Sequence, residues 1–238
     1  MPESAQRKPP SSAAGRLSRD LIIETALAQI DAVGAQSLSM RSLAQELGVE
    51  AMSLYRYVHG REDLLEGVVS RLTDDLTASL DQELTEHWQG FLQTVAHRVR
   101  RIAIDHPRAF PLIATRHPAA PWLRPPLRSV EVVELFLRTL LEQGFSDRQA
   151  VDTYRSFSSF LLGQLLLEAA VRGAETGPLE EPLDEGGADV PEGDGREDVD
   201  SDDQIVRLRP LLSEDRSDEE FEASLESLLD RLSGELAQ

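Results

Sequence analysis

The 238-residue chain has no cysteine, a single lysine, three tyrosines, two tryptophans and no long apolar run. Without cysteine there is no disulfide, no thiolate metal site and no cysteine nucleophile, which suits a reducing compartment. The N-terminal stretch MPESAQRKPPSSAAGRLSRD lacks the apolar core of a signal peptide. The greasiest segment, FLLGQLLLEAAV, is too short and too interrupted to span a bilayer. The expectation is a cytoplasmic protein with no membrane partner. Also missing are a Gly-rich phosphate loop, a G-x-S-x-G elbow, an H-E-x-x-H helix and an evident carboxylate pair, which argues against an enzyme. The five histidines, His59, His87, His97, His106 and His117, contain no i, i+4 pair, so neither a metal nor any other cofactor is expected.

What is abundant is acid. The net charge of −19 at first argues against a nucleic-acid partner, because polyanions repel. Its distribution reverses that reading. Between Gly173 and Gln204, thirteen acids face the single base Arg196, which accounts for about two thirds of the excess. From Met1 to Arg61, seven bases meet six acids, so the N-terminal region is close to neutral.

No strand-like alternation and no internal repeat are found, and helical periodicity runs throughout, so the fold class is all-α. A first helix starts at the Ser18 cap and is stopped by Gly34. A second follows Ser39 and ends at Gly48, and a short third spans Ala51 to Val58. The fourth opens after Gly60, with Glu62 and Asp63 at its positive end, and runs towards Leu80. Trp88, Phe91, Leu92, Val95 and Val99 mark a fifth. Six prolines between Pro107 and Pro126 then permit only short pieces until Leu127 begins another helix. Ser146 with Gln149 forms the capping box of a long apolar helix reaching Val171, and Ser217 with Glu220 reads as the box of the last one. The organisation expected is a disordered basic arm at 1–17, a helix-turn-helix domain at 18–64 and a larger helical domain at 65–238. Within the latter, 173–204 is an acidic insertion too polar to offset its ordering entropy.

The densest local signal is LAQELGVEAMSLYRYVHGREDLL, Leu43 to Leu65. Ala44 stands where two crossing helices approach, Gly48 takes the turn and Leu54 returns to the core. That spacing serves a helix-turn-helix or a plain antiparallel pair equally well. The flanks favour the first, because Tyr55 and Tyr57 cannot both face the core of so short a helix and Arg56 lies between them. Tyrosine hydroxyls and guanidinium groups are good donors to phosphate oxygens, and Arg61 stands at a helix N-terminus that already favours anions.

Residues 18 to 76 resemble the DNA-binding region of the TetR family of bacterial repressors, on Leu54, Tyr55, Arg56, Val58 and Arg61. Tyr57 stands where that family usually carries histidine, and Arg61 where it usually carries lysine. The stretches EHWQGFLQTVAHRVRRIAIDHP and LLEQGFSDRQAVDTYRSFSSFLLGQLL are similar to the ligand-binding domain of the tetracycline-repressor subgroup. The resemblance implies double-stranded operator DNA as partner, with Met52 and Ser53 near base edges and Arg41 able to fork onto guanine. Tyr55, Tyr57 and Arg61 would hold phosphates, Arg56 could do either, and Arg7, Lys8, Arg16 and Arg19 would reach further DNA.

The resemblance also implies a homodimer. Phe157, Phe160, Leu161 and Leu165 on one helix, with Gly163 allowing close approach, would meet Phe221, Leu225, Leu228 and Leu232 on the last. Two-fold symmetry then implies a near-palindromic operator with half-sites about 34 to 36 Å apart. Where tetracycline sensors hold a magnesium chelate, this chain carries Thr77, Val95 and Leu112, which cannot reproduce that chemistry. The remaining pocket positions, Leu80, Val99, Val133, Phe136, Leu137, Tyr154 and Ser158, suit a small apolar or aromatic effector. The function expected is a ligand-responsive DNA-binding regulator. The alternative is a ligand-carrying or protein-binding helical module without sequence-specific DNA binding.

Overall fold

The computed structural model describes residues 17–80, 87–175, 208, 211 and 214–236, which hold eight α-helices and no strand. The helices are α1 (Arg19–Val33), α2 (Met40–Glu46), α3 (Ala51–Leu54), α4 (Arg61–Leu80), α5 (Trp88–Asp105), α6 (Val130–Glu142), α7 (Asp147–Val171) and α8 (Ser217–Leu236). The basic arm up to residue 16 and the acidic insertion from 176 onward lie outside the described residues.

Capping explains most of the boundaries. The Ser18 hydroxyl accepts from the Leu21 N–H, and Gly34 at φ 86° stops α1. Ser146 and Gln149 exchange side-chain and backbone hydrogen bonds at the start of α7. Three boundaries differ from expectation. α3 ends at Leu54 rather than Val58, because the N–H groups of Tyr57 and Val58 both fold back onto the Leu54 carbonyl at 2.9 and 3.0 Å. Leu54 and Val58 are still fully buried, so the tighter turn preserves both anchors. α6 begins at Val130 rather than Leu127. Ser129 is its cap, and the Arg128 N–H is used by the Ile113 carbonyl at 3.0 Å. At α8 the expected Ser217–Glu220 box does not form: Ser217 donates both its N–H and its hydroxyl to the Asp215 carboxylate, at 3.2 and 2.6 Å.

α1, α2 and α3 make a small bundle closed by the first half of α4. Where α1 crosses α4, Gly67 allows an approach so close that a Cβ there would stand 2.6 Å from Ile23 Cδ1. Gly67→Ala should therefore cost about 1 to 2 kcal/mol in thermal unfolding, overpacking outweighing the gain in helix propensity. Combining it with Ile23→Ala, which removes both Cδ1 and the Cγ1 that would stand at 2.9 Å, should cost less than the sum of the two single losses.

The larger part is built on α4 to α8. Phe136 sits at its centre, 5.6 Å from Phe91, 5.5 Å from Phe157 and 5.8 Å from Tyr154 between ring centroids. α8 lies against α5 and α7. The buried Glu168 carboxylate holds that junction, taking Arg100 at 3.0 Å and Arg172 at 2.9 Å, while Arg100 also reaches Asp218 and lies 4.7 Å over the Phe221 ring.

This packing corrects the expected dimer surface. Phe157, Leu161, Leu165, Phe221, Leu225, Leu228 and Leu232 are all buried within their own chain. The two apolar stripes pack against each other and against α5. Of the expected set, Gly163 is exposed and Phe160 half-buried. With Leu167 and Val171, 72% and 90% exposed, they share one outer face of α7 at i, i+3, i+7 and i+11.

Candidate nucleic-acid interface and ligand cavity

α2 is set by a reciprocal cap between Ser39 and Ser42. Gly48 at φ 67° turns the chain, and the Val49 N–H donates to the Ala44 carbonyl at 3.0 Å, which fixes the angle between α2 and α3. Leu43, Ala44 and Leu54 face inward. That leaves Arg41, Met52, Tyr55, Arg56 and Tyr57 exposed, with Ser53 partly so. Met52 is 74% exposed at the start of α3, an exposure that core packing does not explain.

Two of the expected DNA contacts have structural duties. Arg61 Nη2 donates to the Ala35 carbonyl at 3.0 Å and its Nε to that of Leu38 at 3.4 Å, so this guanidinium ties α4 to the chain between α1 and α2. Arg19, grouped with the arm from sequence, instead grips Asp63 at 2.7 Å and the Tyr57 carbonyl at 3.0 Å. Asp63 also accepts the His59 N–H at 2.7 Å. Hydrogen bonds from Arg19, and then from His59, hold the Asp63 carboxyl below the ordinary carboxylate range. Its stabilising contribution is fully present above the unfolded value and fades as pH falls through the lowered one. Asp63→Asn should therefore cost about 1 kcal/mol at neutral pH and progressively less in acid, read from unfolding midpoints between about pH 6 and 2.

Behind this unit lies an apolar cavity of about 40 Å³, so any effector must widen it. Val95, Val99, Val133, Phe136, Tyr154 and Ser158 line it as expected from sequence. Leu137 packs beside the core instead, and the side chains of Thr77 and Leu80 lie outside the described residues. One turn earlier on α4, Thr73 and Leu76 supply that wall. Phe157 and Leu161, assigned from sequence to a dimer contact, are cavity residues. Burial pushes the Tyr154 hydroxyl up to about 12, so it stays a donor, and it gives its proton to the Pro125 carbonyl at 3.1 Å. Leu112 is 1% exposed in the core, and no group of three metal-ligating side chains occurs among the described residues. These residues do not fit a magnesium chelate.

Residues 113–129 form a strap over the cavity. Ile113, Leu127 and Ser129 line it, while Trp122 points outward, 74% exposed. Between two lining residues, Arg128 turns away and is only 4% exposed, placing Nη2 2.6 Å from Glu62 on the first turn of α4. Its Nη1 meets the Thr115 hydroxyl at 3.3 Å, and its Nε is buried without a partner. A second tie joins the C-terminal end of α5 to α1: His106 meets Asp31 at 2.7 Å, and Arg108 donates to the carbonyls of Asp31 and Ala32. Neither pair was legible in the sequence, since their partners are 66 and 75 residues apart.

The N-terminal geometry and the surrounding helices have counterparts. The family model of bacterial regulatory proteins of the tetR family matches residues 22–68, and that of tetracyclin repressor-like C-terminal domains matches 82–234. The chain belongs to the TetR family. It is 32% identical over 160 residues to the class E tetracycline repressor protein of Escherichia coli, covering 67% of this chain and 72% of that protein. To the class D repressor of Escherichia coli it is 33% identical, over 63% of this chain and 66% of the other. Among solved structures, a possible TetR family transcriptional regulator from Streptomyces coelicolor A3(2) matches 91% of this chain and 99% of its own, with TM-score 0.68 and 26% identity. The Streptomyces coelicolor TetR family protein ActR in complex with actinorhodin shares the fold, with TM-score 0.64 and 24% identity over 94% of this chain. No helix among the described residues of this TetR family member is long and apolar enough to cross a membrane.

Proposed function

We propose that this TetR family regulator is a homodimeric repressor that leaves a near-palindromic operator when a small apolar or aromatic molecule enters its cavity. The observation that carries the reading is the exposed set Arg41, Met52, Tyr55, Arg56 and Tyr57, presented around a short helix whose Leu54 is fully buried. Met52, Ser53 and Arg41 would read base edges, and Tyr55, Tyr57 and Arg56 would take phosphates. Arg61 would act chiefly by holding α4 against the turn before α2. The outer face of α7, through Phe160, Gly163, Leu167 and Val171, would meet its copy. The apolar lining supports an effector without a metal, in keeping with a relative whose solved complex contains actinorhodin.

The test is a titration of the purified protein against DNA from its own upstream region, beside a scrambled duplex, at two salt concentrations. Selective, salt-sensitive binding is expected; equal binding to both duplexes, repeated with DNA from a random-sequence selection, would refute the reading. Arg41→Ala should lose about 1 to 3 kcal/mol on the matched duplex alone, whereas Tyr57→Phe should weaken matched and scrambled duplexes alike.

Effector entry would act on DNA through the strap. Displacing Tyr154 from Pro125, or Leu127 and Ser129 from the cavity wall, moves Arg128 and with it Glu62. Glu62 stands next to Arg61, whose hold on Ala35 and Leu38 sets α4 against the DNA-reading unit.

A further inference from the structure

A second concavity shares two residues with the cavity. Leu76 and Ile102 form a common wall between the apolar cavity and an open cleft of about 620 Å³ bounded by α1, α4 and α5. Leu27 and Leu72 give the cleft an apolar floor, and Arg71, Arg98 and Arg101 line its rim. The charge there is unusual for this chain, in which 43 acids outnumber 24 lysines and arginines. Several arginines elsewhere hold carboxylates: Arg19 holds Asp63, Arg100 holds Glu168 and Arg128 holds Glu62. Arg71 and Arg101 line the cleft from two different helices, and among the described residues neither has a hydrogen bond or ion pair. Asp105 is the acid on the same lining, while His97 is turned to Glu222 at 3.5 Å and His106 to Asp31 at 2.7 Å.

We infer that the cleft holds the anionic end of an effector whose apolar body fills the cavity, an elongated molecule ending in a carboxylate or phosphate. This deepens the proposed effector reading and rests on it. Among the described residues the cavity lining carries no charged side chain, so a ligand charge has no partner there and would be expensive to bury. Two steps through the shared wall solve this. The half-buried Ile102 side chain changes rotamer, and the head group comes to rest between Arg71 and Arg101, where guanidinium groups can take an oxyanion in a bidentate fashion. Because Arg71 is on α4 and Arg101 on α5, a bound anion draws together the helix that carries Arg61 and the helix that forms the cavity wall.

The experiment compares two acids with their neutral alcohols, dodecanoate with dodecanol and 9-anthracenecarboxylate with 9-anthracenemethanol, by calorimetry on the full chain and by release of bound operator. At least one acid should bind about tenfold tighter than its alcohol, with a preference that shrinks as salt rises. The double variant Arg71→Gln/Arg101→Gln should abolish that preference while leaving alcohol affinity unchanged. Val133→Trp, which fills the cavity, should weaken acid and alcohol together. If neither acid binds better than its alcohol, or if the preference survives in the double variant, the inference is overturned. Alcohols that release operator as well as the acids do would remove the cleft yet leave the effector cavity standing. Compounds that bind without any effect on operator would count against the effector reading itself.

Discussion

Glu62→Ala is expected to destabilise the folded chain by about 2 kcal/mol, while Arg128→Met, at the other end of the same ion pair, should cost less than about 1. The asymmetry follows from burial. Glu62 is 65% exposed and returns to water when its partner is lost, whereas Arg128 is 4% exposed and would keep a buried positive charge with Thr115 as its remaining side-chain partner. Its Nε already lacks a partner, so no spare contact softens the loss. Methionine fills similar space without a charge. The double variant should therefore be more stable than Glu62→Ala alone, a coupling that urea unfolding of all four proteins would measure. Equal losses from the two single variants would show that the pair is solvated rather than buried. Both variants should still bind operator, and both should respond less to effector, since strap and α4 are then no longer joined by charge.

Leu54→Ala should remove about 3 kcal/mol from the small N-terminal bundle and with it selective operator binding. Leu54 is fully buried, ends α3 and accepts the turn that follows through its carbonyl, so its side chain fixes both the helix and the direction of the exposed residues around it. The cavity lies elsewhere, on α4 to α7, and ligand binding should persist. Hydrogen exchange would show the difference: fast exchange across α1 to α3 with α5 and α7 still protected. Retention of selective binding by this variant would mean that the exposed residues do not depend on α3 for their placement.

Much of this was visible in the amino acids because the signals are local. Ser18, Ser39 and Ser146 announce helix starts, and Gly34 and Gly48 announce stops. Two tyrosines flanking an arginine near a buried leucine betray an outward-facing set. Faces were harder. Helical periodicity showed that α7 and α8 each have an apolar stripe, but periodicity cannot say whether a stripe meets its own chain or a copy, and here both turned inward. On α4 the pattern offered Thr77 and Leu80, whose side chains lie outside the described residues, and it did not single out Thr73 and Leu76 one turn earlier, which line the cavity. A single turn is below the resolution of a hydrophobic pattern that recurs at every turn. Long-range ion pairs such as Arg19–Asp63, 44 residues apart, leave no pattern at all. The Gly67–Ile23 approach was equally silent, since a helical glycine is informative only once its neighbour is known.

The two tryptophans give the molecule a built-in optical readout. Trp88 sits edge-on to Phe145 at 5.6 Å at the start of α5, and Trp122 stands free on the strap. Their emission should separate into a protected component and a red-shifted one open to a soluble quencher such as acrylamide. With Trp88→Phe, the remaining signal belongs to the segment that carries Arg128, so strap movement can be followed in real time without attaching a dye.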